Sequence, residues 1–303
     1  MDPKALQLAK RRLKRNLVLV VVGFAVVLSS LVLYARVWPP MIGVDSNSMS
    51  HDPDVSAFGP IDTGDILLIQ TVTFPGDIVT YVEGRRSGYA TYGDFGDIVV
   101  FEDPERLSPA RIVHRALAYV TWNLTACGAC YDLPALADLP GSDWDAWDLR
   151  GFPTEIPRGI TRFVIRGAGW AQDFDIAFFS SQILTRTSGA GLLTMGDWNV
   201  YDAPFQVDPW IVPLSEVHGV ARGEIPWFAL LQLTISPGPF GCCEAWGSVN
   251  RDYGAPANSW LGLEISLAVL IGTPVAASVM QSRIERRRKA SKRQQGRGNQ
   301  SDA

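Results

Sequence analysis

Two long apolar stretches bracket the chain, and the hydrophobic pattern between them has a different period. Residues 17–34 carry no charge and are rich in Val and Leu, about the length a helix needs to cross hydrocarbon. Residues 260–280 are apolar except for Glu264 near the start, with Pro274 inside the run. Between them come short β-branched runs at 66–69, 78–82 and 98–101, each opened by a Gly-Asp pair (Gly64-Asp65, Gly76-Asp77, Gly96-Asp97). A further run at 112–113 continues through 116–120. This spacing predicts strands separated by tight turns, hence a mostly β domain held between two membrane helices. From 121 to 191 the pattern weakens. Asp, Trp, Pro and Gly accumulate in "GSDWDAWDLRGFPTEIPRG" until strand character returns at 162–165, and the stretch reads as an inserted subdomain.

Charge sets the orientation. Of 27 basic residues, 14 lie in the two ends, and the 13 between residues 17 and 280 are all Arg, against 28 acidic residues there. Because Lys and Arg stay on the cytoplasmic side, both termini are expected inside and the β domain outside. The organisation read from this is a basic N-terminus (1–16), a membrane helix (17–38) and an extracytoplasmic domain (39–224). A membrane-surface segment with a Cys pair (225–258), a second membrane helix (259–281) and a basic cytoplasmic tail (282–303) follow. In the segment 225–231, Trp227 is expected at headgroup level. A cleavable leader is the competing reading of the first apolar run, but no A-x-A-like site follows it. The acidic, lysine-free middle argues against a nucleic-acid partner.

With 47% hydrophobic and 19% charged residues, the chain can bury a sizeable core, so its chemistry is sought in side chains held rigidly. Just beyond the first apolar run stands "SNSM", with Ser48 as a candidate nucleophile and Ser46 as a second hydroxyl for a developing oxyanion. A domain without lysine cannot run a Ser–Lys pair, so Ser48 needs a histidine as base. Of the three histidines, His51 shares a short loop with Ser48 and His218 heads back toward the membrane. His114 follows a strand-forming run and is the candidate. The block 194–202 brings Asp197 in a Gly-Asp turn, followed by Asp202.

At these residues the sequence resembles the type I signal peptidases of the archaeal and endoplasmic-reticulum kind. "SNSM" after an anchor, "IDTGDIL", "PGDIV", "GDIVVF" with "RIVHR", then "LLTMGDWN" and "VHGVARG", occur in that family's order. The resemblance implies a signal-peptidase-like β fold and a serine endopeptidase that removes signal peptides from secreted preproteins without a cofactor or metal. The bilayer and the signal peptides would be its partners, and accessory subunits stay open. Residue by residue it places Ser48 as nucleophile, His114 as base and Asp197 as the first aspartate of the "GDWN" block. The family's second aspartate stands six residues after the first, where this chain has Ala203. Asp202 is one residue early and is ranked first as partner of His114; Asp197 is also a catalytic candidate, its two open roles being to brace its loop by accepting backbone N–H bonds or to orient His114, and Asp208 is ranked third. The family's proline two residues after the motif Met is replaced by His51.

Four cysteines lie outside the cytoplasm on this topology, so disulfides are the default over a zinc site or a redox pair. Because adjacent Cys242 and Cys243 pair with each other only under strain, two bridges to Cys127 and Cys130 are expected. Asn123 opens a glycosylation sequon. A non-enzymatic membrane-anchored scaffold for exported proteins or glycans is the rival class, in which Ser48 would be incidental.

Overall fold

A computed structural model describes residues 3–102, 111–122, 130–183, 189–202, 205–237, 242–243, 245–248 and 254–298. Helix α1 (Pro3–Ala35) leads into β1 (Met41–Gly43) and β2 (Ile66–Gln70). Then come α2 (Tyr81–Ser87), the small hairpin β3 (Ala90–Thr91) and β4 (Asp94–Phe95), β5 (Ile98–Glu102) and the long β6 (Arg111–Trp122). The stretch beyond supplies β7 (Tyr131–Asp132), β8 (Trp144–Asp148), β9 (Ile160–Ala168), β10 (Phe174–Phe179) and β11 (Ala190–Met195). Finally β12 (Val217–Ile225) returns to α3 (Ala229–Ile235) and α4 (Ala257–Gly298).

The architecture is mostly β, with two helices long and apolar enough to cross a membrane, over Leu13–Ala35 and Ala257–Ile284. Their apolar side chains are exposed, Leu19 at 62% and Leu270 at 62%, as a lipid-facing surface requires and an aqueous one does not favour. Ten strands form one sheet in the order β1-β2-β12-β5-β6-β7-β9-β10, with β11 on β6 and β8 on β9. Every pairing is antiparallel.

The strand β5 lies between β12 and β6 and is buried on both faces. Its period of two sends Ile98 and Val100 into one cluster with Met49, Leu67 and Ile69, and Val99 and Phe101 into another with Ala116, Leu192 and Val220. A third cluster joins Leu117, Ala118 and Val120 of β6 to Phe163, Ile165 and Phe178. The stretch 121–191 therefore extends the main sheet and shares a core with it.

One strand reading fails. Residues 78–82 form no strand; a 3-10 turn over Pro75–Asp77 precedes α2 instead. Thr80 Oγ1 accepts the Glu83 N–H at 3.4 Å while Glu83 Oε2 accepts the Thr80 N–H at 2.9 Å, a reciprocal N-cap. Gly88 ends the helix at φ +79°. Two satisfied caps outweigh the β preference of a five-residue run.

The cysteine pairing also differs. Cys242 and Cys243 are bonded to each other and buried among Leu230, Leu233, Trp260 and Leu263. Cys130 is disulfide-bonded and buried beside β7, next to Tyr131 of the main core. The two sites belong to different cores, so the cross-bridging expected from strain alone does not occur. Cys127 and Asn123 lie outside the described residues. Trp227 is half-buried, its indole N–H donating to Ser56 Oγ at 3.0 Å and its backbone N–H to Asp65 Oδ1 at 2.9 Å.

Candidate active site

The nucleophile candidate sits in a turn whose next residue is its anchor. Met49 is 1% exposed and packs with Leu67, Ile69 and Ile98, so the turn cannot lift off the sheet without unburying a large side chain, worth about 1.5–3 kcal/mol. The Ser50 N–H donates to Asn47 O at 3.0 Å, closing the turn around Ser48. From the opposite side the Trp198 N–H donates to Ser48 O at 2.9 Å.

His114 comes from β6, where it pairs with Val99 of β5 and its ring meets Phe101 edge-on at 6.4 Å. A strand packed on both sides holds the ring rigidly. Its Nε2 lies 3.1 Å from Ser48 Oγ, and its Nδ1 lies 2.7 Å from Asp208 Oδ2. Thr194 Oγ1 donates to the same carboxylate oxygen at 2.6 Å, and the Asp208 N–H donates to Thr194 O at 2.9 Å. The imidazole and carboxylate are nearly covered, at 12% and 6% side-chain exposure. An Asp–His–Ser line of this kind fixes the imidazole tautomer and stabilises the charged ring when it takes the serine proton. Ser46 Oγ is 3.4 Å from Ser48 Oγ, and among the described residues no acceptor takes the Ser48 N–H.

Asp208, ranked third on sequence, is thus the carboxylate that meets His114, and Asp202 is not. The 3-10 turn over Asp197–Tyr201 ends at Asp202, which is exposed, and its carbonyl accepts the Phe205 N–H at 2.9 Å. The chain then runs back along the sheet. Gln206 ties it down by donating to Val200 O at 3.0 Å and Asp175 O at 3.1 Å and by accepting the Ala177 N–H at 2.9 Å. The sequence carried one signal for Asp208: it is a lone charge within "VDPWIV", and a carboxylate in an apolar run is buried and needs a partner.

Asp197 meets the side chains of Arg115 and His51 rather than His114. Its carboxylate accepts from Arg115 Nε at 2.7 Å and Nη2 at 2.6 Å, and His51 Nε2 lies 3.0 Å from Oδ2. Burial works against its charge, but the Arg115 guanidinium and the His51 contact hold its pKa below the usual carboxylate value. Arg115 is fully buried, and its Nη1 donates to the carbonyls of Thr91, Asp94, Phe95 and Gly96 at 3.1–3.2 Å. Nearby Asp94 is raised to about 6, chiefly by burial and opposed by Arg115. His218, on β12, pairs with Glu102 at 3.1 Å in an exposed contact away from Ser48. Arg115 directly follows His114, so its side chain faces away from Ser48 and toward Asp197; period-two alternation made this legible, but its partner was not.

Among the described residues no group of His, Cys, Asp or Glu is arranged to hold a metal. Comparison with family models, with curated proteins and with solved structures returned no match for this chain.

Proposed function

We propose that this protein is a membrane-anchored serine endopeptidase that removes N-terminal signal peptides from exported preproteins. The observation that carries the reading is the continuous contact from Asp208 through His114 to Ser48 Oγ, with Ser46 alongside. The order of motifs along the chain supports the same reading, as do the two apolar helices. The basic ends set both termini in the cytoplasm and the sheet outside, at the membrane face where a signal helix ends.

In the reaction, His114 Nε2 takes the Ser48 proton as Oγ attacks the carbonyl carbon after the last signal-peptide residue. The carbonyl oxygen becomes an oxyanion, which the Ser48 N–H and Ser46 hydroxyl receive. The C–N bond breaks, and His114 delivers its proton to the departing amine of the mature protein. Water, deprotonated by His114, then opens the Ser48 ester, and the proton returns to the serine oxygen. Asp208 stays ionised throughout and balances the imidazolium. The substrate would bind extended, adding its backbone to a strand edge beside the site, with alternate small side chains facing the sheet.

Incubating the detergent-solubilised protein with a preprotein and sequencing the product's new N-terminus tests this. Cleavage directly after a small-x-small sequence, absent in Ser48→Ala, is expected. No cleavage, or equal cleavage by Ser48→Ala, would refute the reading.

A further inference from the structure

His51 is used by neither step of the reaction, yet it is among the most tightly held side chains around the site. Its ring stacks on Trp170 at a centroid distance of 5.1 Å and an interplanar angle of 13°. On the other side the turn of the β3–β4 hairpin closes in, so that a Cβ on Gly93 would lie 2.8 Å from His51 Cε1. The ring edge then reaches Asp197 Oδ2 at 3.0 Å. Three separate elements thus meet on one imidazole, three residues beyond Ser48.

Trp170 stands in the β9–β10 turn, within the stretch for which the sequence offered no role. That turn is itself fixed to the site. The Gly169 N–H donates to Tyr81 Oη at 3.1 Å, and a Cβ on Gly169 would lie 3.2 Å from Val200 in the Asp197–Tyr201 turn. Phe174 continues the contact edge-on to Tyr201 at 5.1 Å. The same Asp197–Tyr201 turn holds Ser48 through the Trp198 N–H.

We propose that His51 and Trp170 form a clamp by which the β9–β10 turn holds the Ser48 loop in register with His114. His51 is a positioning residue: it acts through Asp197 and the loop backbone. The loop is tied to the Asp197–Tyr201 turn at two points, Trp198 N–H to Ser48 O and His51 to Asp197, and Trp170 keeps the second tie in place. Removing either half loosens the His51 side of the loop, while the Trp198 tie and buried Met49 still hold it to the sheet, and this shifts Ser48 Oγ out of line without altering how substrate docks. The kinetic half of this inference rests on the peptidase reading; the structural half does not.

The test uses the full-length protein in detergent, with His51→Ala, His51→Gln, Trp170→Ala, Trp170→Phe and the double Ala variant. Amide hydrogen exchange of a peptide covering the Ser48 loop and steady-state cleavage of a preprotein are measured on each. Both single Ala variants should speed exchange in that loop and lower kcat about tenfold, or about 1.4 kcal/mol, with KM unchanged. The double variant should fall no further than the singles, since one clamp is lost either way. Trp170→Phe, which keeps a stacking face, and His51→Gln, which keeps a donor at Nε2 reach, should each recover part of the loss. Should the Ala variants fail to fold, these two carry the measurement. Unchanged loop exchange, additive losses in the double variant, or an active enzyme with unchanged kcat overturns the clamp. Faster loop exchange in a protein that cleaves no preprotein keeps the clamp and overturns the peptidase reading instead.

Discussion

At the scale of single residues, the site depends on which carboxylate faces His114. The contact at 2.7 Å assigns that place to Asp208, with Thr194 holding the same oxygen. Asp208→Asn should therefore lower turnover by about 10³- to 10⁴-fold, because an amide steers the imidazole to the wrong tautomer. Asp202→Asn, at an exposed turn end, should leave turnover near wild type; cleavage rates of the two purified variants, beside Ser48→Ala and His114→Ala, decide between them. Asp197 answers to a different measurement. Replacing it with Asn leaves the Arg115 guanidinium buried and half-satisfied, which should cost about 3–5 kcal/mol. A melting temperature lowered by several degrees is the expected result, with the folded fraction losing no more than the roughly tenfold in kcat that follows from weakening the His51 tie. A stable but inactive Asp197→Asn would instead give this aspartate a direct part in the chemistry.

At the scale of elements, the turn between β11 and the Asp197–Tyr201 segment must pass very close to the nucleophile. Gly196 has φ −69° and ψ 139°, an extended conformation open to any residue. Its need for glycine comes from space. A Cβ there would lie 2.5 Å from Ser48 O and 3.1 Å from His114 Nε2. Gly196→Ala must push the Ser48 turn and the imidazole apart, and a displacement of about 1 Å at reacting groups costs on the order of 10²-fold in rate. Cleavage should fall by that factor or more, beyond what the accompanying drop in thermal midpoint accounts for. A variant cleaving at wild-type rate would mean the two elements are looser than their contacts indicate. β11, which leads into this turn, pairs along its own length with β6 and has one register shift beside Thr194, the residue that holds Asp208.

At the scale of the whole molecule, a group of buried acids ties the sheet to the segment before α3. Asp65 is raised to about 8, foremost by burial and further by Glu224 and Asp62, although the Trp227 and Asp62 N–H groups bond to it. Glu224 on β12 is raised to about 7, again foremost by burial. Both bind a proton more tightly in the fold than in the unfolded chain, so their contribution to stability is full below the ordinary carboxylate range and is lost as pH rises through about 7 to 8. Asp197 has the opposite sign, with its contribution lost only as pH falls below about 4. The melting temperature should therefore decline between about pH 4 and about pH 8, and Glu224→Gln should flatten the part of that decline below about pH 7. Parallel melting curves for the two proteins across that range would exclude Glu224 as a contributor.

The sequence by itself determined what depends on composition and local period: two apolar helices, strands at 66–69, 98–101 and 112–120, and Ser48 and His114 as a candidate pair. Those features are local, since a charge-free run of Val and Leu or a β-branched run after Gly-Asp is set by nearest neighbours and burial. Residues 78–82 show the same principle from the other side, because the deciding signal, Thr80 with Glu83, was also local and was outweighed in the reading by Ile78, Val79 and Val82. What only the tertiary structure decided is everything that depends on where a loop returns. Asp208 reaches His114 because the chain after Asp202 folds back over Thr194, a path that counting residues from Asp197 cannot measure. The stretch 121–191 joins the main sheet through hydrogen bonds to β6, and its turn carries Trp170 onto His51. Cys242 pairs with Cys243, while Cys130 lies next to Tyr131 of a different core. Distances across a sheet are set by packing and register, neither of which is written in sequence separation.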